Sequence, residues 1–100
     1  GLRVRLSGAK KNPDAIGSAA RLLFGKSPSF TMGTWREWQL GSGYGSQDGL
    51  VKVLAMPRSP TAIEVRWAGA RGKSTITSLP AGIIEITLAS SGEIINQKTK

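Results

Sequence analysis

The sequence predicts an all-β fold: a compact antiparallel β-sandwich or partly closed barrel of seven to eight short strands. Three observations carry that prediction. Short stretches alternate apolar and polar residues with a period of two, as a strand does when one face is buried. Clusters of Gly, Pro, Asn, Asp and Ser punctuate those stretches at short intervals. No segment sustains a 3.6-residue period, so helix should be minor. The 100 residues are read as one domain, 1–100, the usual outcome at this length. Strand-like sequence begins at once after Gly1, without a start methionine, so the chain is expected to be a piece of a longer multidomain protein.

Taken in order, "LRVRLSG" sets Leu2, Val4 and Leu6 on one face and Arg3 and Arg5 on the other. "AKKNPDAIG" follows as a turn built on Asn12, Pro13 and Asp14. "SAARLLFGKSPS" contains a short apolar run between Gly17 and Gly25. It is open to a short helix through Ala19, Ala20, Leu22 and Leu23, but its length and flanks favour a strand ending in a hairpin turn. "FTMGTWREWQL" is the longest strand candidate. Phe30, Met32, Thr34, Arg36, Trp38 and Leu40 share the more apolar face. Trp38 is therefore assigned to the core and Trp35 to the wetter face, unless a bulge at Gly33 shifts the register.

"LVKVLAM" is a strand without a decided facing, ended by "PRSP". "TAIEVRWA" points Ile63, Val65 and Trp67 inward and Glu64 and Arg66 outward. "GARGK" turns, and "STITSL" is a β-branched strand. After "PAG", "IIEITLA" is expected to bury Ile84, Ile86 and Leu88. "SSGE" makes a last turn before "IINQ" and a frayed basic tail.

Histidine and cysteine are both absent. The common transition-metal ligand sets, the Ser-His-Asp triad and the Cys-His dyad are thereby excluded. Glu37, Glu64 and Glu85 stand mid-strand, Glu37 beside Arg36 and Glu64 two residues before Arg66, and read as cross-strand ion pairs, not as an acid–base pair for glycoside chemistry. Asn12 with Asp14, or Gln47 with Asp48, offers too few oxygens for the six to eight that calcium takes; turn roles suit them better. The chain is thus expected to be no enzyme and to carry no cofactor and no metal. No apolar run approaches the roughly 18 residues of a membrane span.

"LGSGYGSQDGL", residues 40–50, invites a phosphate-loop interpretation that it does not meet. A strand-like segment and not a helix follows it, and neither Gly-Lys-Ser/Thr nor G-x-G-x-x-G spacing is present. Tyr44 and Gln47 make it a poor flexible linker. It reads as a long shaped connection in which glycines allow positive φ and Ser42, Ser46, Gln47 and Asp48 satisfy turn backbone. Tyr44 either plugs the end of the core or stands exposed.

Net charge is +8, which raises anionic partners. Arg3, Arg5, Arg36 and Arg66 are assigned to the basic surface on strands. The charges are scattered, and few aromatics interleave with them, which argues against single-stranded nucleic acid. An anionic polymer stays open as an alternative partner.

Three stretches, "LRVRLSGAKKNPDAIGSAARL", "WREWQLGSGYGSQDGLVKV" and "IEVRWAGARGKSTITSLPAGIIEI", together resemble the ASPIC/UnbV domain over nearly the whole chain. The resemblance rests on the L-x-V-x-L start, on Lys11 to Gly17, on Gly41, Ser42, Gly43, Tyr44, Ser46 and Gln47, and on Ile63 to Trp67. "VLAMPRSP" and "WAGARGK" depart from the family pattern in or beside loops, so a changed surface on the same scaffold is expected. The resemblance implies a non-catalytic module at the C-terminal end of a secreted or cell-surface protein, after a β-propeller of FG-GAP or VCBS repeats. Partners would be that propeller and a protein or glycan ligand. The expected contact surface is the Gly41–Asp48 loop, with Trp35, Ser42, Tyr44, Ser46 and Gln47 as binding residues. A structural cap on the propeller is the alternative.

Overall fold

The computed structural model describes residues 1–8, 10–12, 15–26, 28–39, 51–69 and 73–100. The described strands are β1 (Leu2–Ser7), β2 (Ala19–Phe24), β3 (Thr31–Met32), β4 (Arg36–Glu37), β5 (Val51–Leu54), β6 (Ala62–Arg66), β7 (Ser74–Ser78), β8 (Ile83–Ala89) and β9 (Ile94–Thr99). None of the described residues is helical. A four-stranded sheet runs β5-β1-β8-β9, and a five-stranded sheet runs β3-β2-β6-β7 with β4 also paired to β2. Among the described residues no ladder joins the two sheets, so the architecture is an open sandwich, not a closed barrel.

Alternation builds the core as expected. Leu2, Val4, Leu6, Ile83, Ile86 and Leu88 from one sheet meet Ala20, Leu22, Phe24, Ile63, Val65 and Trp67 from the other. Trp38 joins them, fully buried. The Trp67 indole N–H donates to Thr75 Oγ1 at 2.9 Å, so the ring is buried without stranding its polar atom. Ser18, also buried, accepts the Ala68 N–H on its Oγ and the Trp38 N–H on its carbonyl. It ties the turn before β2 to the ends of β4 and β6.

Four features depart from the sequence expectations. The 30–40 stretch is not one strand. Between the pairs Leu23–Met32 and Ala20–Arg36, β2 has two intervening residues and the opposing chain has three. That extra residue is a bulge over Gly33–Trp35. It divides the segment into β3 and β4 and makes nine strands among the described residues. Gly33 lies there with its N–H bonded to the Leu22 carbonyl at 2.8 Å. Met32, expected on the apolar face, is 56% exposed because the bulge reverses facing between β3 and Trp38.

A second irregularity lies in β8, where the ladder to β9 shifts between Ile83 and Glu85. Ile83 is buried and Ile84, expected inward, is 40% exposed. Third, the pairing is not wholly antiparallel. β1 and β8 run parallel, with Arg3 beside Glu85 and Ser7 beside Ala89. The expected frayed tail is instead mostly strand, since β9 reaches Thr99 and the Lys100 N–H bonds the Gly82 carbonyl at 2.8 Å.

Candidate functional site

The alternation that buries Leu22, Ile63 and Val65 sends Arg21, Glu64 and Arg66 to the outer face of the five-stranded sheet. Register sets Arg21 opposite Glu64. Arg21 Nε donates to Glu64 Oε1 at 2.7 Å, with both side chains less than one-fifth exposed. The bulge delivers Trp35 to the same place. The Arg21 guanidinium carbon lies 4.4 Å from the Trp35 ring centroid and that of Arg66 lies 5.0 Å from it. Both are cation–π distances. Among the described residues Arg66 has no ion pair with a carboxylate, and its guanidinium rests on the indole. Trp35 is half-buried, beneath two cations instead of bare on a wet face.

The outer face of the four-stranded sheet carries a different set. Cross-strand register aligns Val51, Arg5, Thr87 and Asn96 in one row and Val53, Arg3, Glu85 and Lys98 in the next. Glu85 lies 3.9 Å from Arg3 and 3.8 Å from Lys98, loose and partly solvated pairs. Arg5 Nε is buried and has no hydrogen-bond partner among the described residues. It belongs to a cleft of about 80 Å³ lined by Arg3, Arg5, Val51, Glu85, Thr87 and Asn96, with Ile86 beneath.

The basic residues anticipated from the sequence are therefore not one surface. Arg3 and Arg5 share the four-stranded face, and Arg66 lies on the five-stranded face, on the opposite side of the sandwich. Arg36 is exposed on β4, opposite Ala20. Of the expected binding residues, Trp35 is placed. Ser42, Tyr44, Ser46 and Gln47 lie outside the described residues, as does the Gly41–Asp48 loop that holds them. The chain leaves the five-stranded sheet after β4 and rejoins the other sheet at Val51, directly opposite Arg5.

Arg21 was legible as the one charge within "AARLLF", but its partner could be named only once β2 and β6 were known to pair. Thr87, Asn96 and Lys98 had no signal, because only the parallel β1–β8 ladder brings them beside Arg5 and Arg3. The Asn12 side chain accepts the Ile16 N–H at 3.1 Å and donates to the Ile16 carbonyl at 2.9 Å, so its polar atoms close a turn. Among the described residues no three His, Cys, Asp or Glu gather as metal ligands. No helix among them is long and apolar enough to cross a membrane. Compared with protein-family models, curated proteins and solved structures, the chain gives no match.

Proposed function

We propose that the chain is a non-catalytic interaction module that contacts a protein or glycan through the Gly41–Asp48 segment and Trp35. The observation that carries this reading is the Arg21–Trp35–Arg66 stack. An indole packed against guanidinium groups on the solvent side of a sheet sets apolar and cationic area side by side, the mixture that recognition surfaces use. Tyr44, Ser42, Ser46 and Gln47 add the amphipathic and adaptable side chains found in binding loops. Two of the described carboxylates have other roles. Glu64 is committed to Arg21, and Glu85 lies on the opposite face of the sandwich. The resemblance to the ASPIC/UnbV domain supports an extracellular or cell-surface setting beside a β-propeller.

A glycan microarray and a panel of purified acidic extracellular proteins test the proposal. Wild type is compared with the Trp35→Ala, Tyr44→Ala, Gln47→Ala triple variant, its folding checked by circular dichroism. At least a tenfold weaker signal for the variant is expected. An unchanged pattern overturns the reading.

The second reading, a cap packed on the propeller, draws on Met32 and Ile76. They are 56% and 59% exposed on the outer face of the five-stranded sheet, where their register partners Leu23 and Glu64 also point. Covering by a neighbour would slow amide exchange there in a chain extended upstream of Gly1. Identical exchange in the short and extended chains counts against it.

A further inference from the structure

We propose that the cleft around Arg5 is a subsite for the sulfate group of a sulfated saccharide. The inference rests on the module reading above, but on neither Trp35 nor the 41–48 segment.

Arg5 Nε–H is the starting point. It is buried and, among the described residues, unpartnered, and a donor so placed is costly to leave unmade, more so on a cation. An oxyanion in the cleft supplies the missing acceptor. Thr87 and Asn96 stand in the same cross-strand row and add a hydroxyl and an amide, both able to donate. Arg3 follows two positions along the same strand face, about 7 Å away at the usual strand rise.

Size limits the occupant. A cleft of about 80 Å³ admits one tetrahedral oxyanion and leaves the rest of the ligand on the open sheet face. What lies on that face decides the ligand class. Glu85, at the edge of the cleft it helps to line and between Arg3 and Lys98, repels a second closely spaced anion but accepts hydrogen bonds from hydroxyl groups. One oxyanion flanked by hydroxyls describes a sulfated sugar better than a phosphodiester backbone. Among the described residues no aromatic side chain lines the cleft to stack a base, as single-stranded nucleic acid requires.

The experiment is an NMR titration of the ¹⁵N-labelled protein, following the Arg5 Nε–H and the Thr87 and Asn96 signals. The probes are a 6-O-sulfated disaccharide, the same disaccharide without sulfate, and a single-stranded oligonucleotide. The sulfated sugar is expected to move the three signals and to bind at least tenfold more tightly than the other two. Arg5→Gln is expected to weaken it at least tenfold, whereas Arg58→Gln, distant beside Phe24, leaves it unchanged. Equal binding of the unsulfated sugar overturns the proposal. So does tighter binding of the oligonucleotide with a steep salt dependence, or titration of wild type with no shift at Arg5. The Arg5 signal is read in wild type, so the test does not depend on Arg5→Gln folding. Sulfate-dependent shifts that persist in the Trp35, Tyr44, Gln47 triple variant would separate this cleft from the surface proposed above.

Discussion

Arg21 and Glu64 show how a single pair joins packing to surface chemistry. Arg21 interrupts an otherwise apolar β2, and its charge is tolerated because Glu64 meets it across the ladder at 2.7 Å while Trp35 covers its plane. Removing one partner leaves the other charge poorly solvated, at higher cost than the net value of the intact pair. Glu64→Ala is therefore expected to destabilise the fold by about 2 kcal/mol, less than for a fully buried pair because water still reaches both groups. Urea denaturation measures this as a lower midpoint with an unchanged slope. An Arg21→Met, Glu64→Leu double variant should recover most of the loss, since no unpaired charge remains. The ion pairs of Glu64 and Glu85 were legible from strand alternation; which arginine each would find was not, because partner identity is a property of register.

At the scale of elements, two of the ladder irregularities set which residues the molecule presents. The one at Gly33–Trp35 turns Met32 outward, sends Trp38 into the core and swings Trp35 onto the Arg21 face. The one at Ile84 buries Ile83 in its place. Alternation alone cannot foresee either, since one inserted residue inverts every facing beyond it. Gly33 was nonetheless a visible candidate, as glycine inside a strand pattern often is. The turn after β1 is set differently. A Cβ on Gly8 would strike the Asn12 carbonyl, and Asn12 closes the turn through two bonds to Ile16. Gly8→Ala is expected to lower stability by about 2–3 kcal/mol, because backbone must move to admit the methyl group. Thermal unfolding monitored by circular dichroism tests this, and an unchanged transition temperature would refute it.

Across the whole molecule, the parallel pairing of β1 with β8 is the dominant fact. Residues 3–7 lie beside residues 85–89, so the centre of the four-stranded sheet forms only when the two ends of the chain meet. Loop closure of that length is unfavourable until the ladder forms, and folds rich in such pairings are slow. Refolding followed by stopped-flow tryptophan fluorescence is expected in milliseconds to seconds; completion within tens of microseconds would contradict the topology. The same ladder builds the Arg5 cleft by carrying Thr87, and through it Asn96, beside a strand eighty residues earlier.

The sequence by itself determined the all-β class, the positions of most strands, the buried Trp38 and Trp67, and the absence of histidine and cysteine chemistry. These follow from local rules, namely alternation, turn residues and side-chain inventory, which act within a few residues. Tertiary structure alone decided that β1 and β8 run parallel, that two inserted residues invert facing, and that scattered arginines divide between opposite faces of the sandwich. Those outcomes depend on which strands pair and in what register, a choice made by packing between segments far apart in the chain.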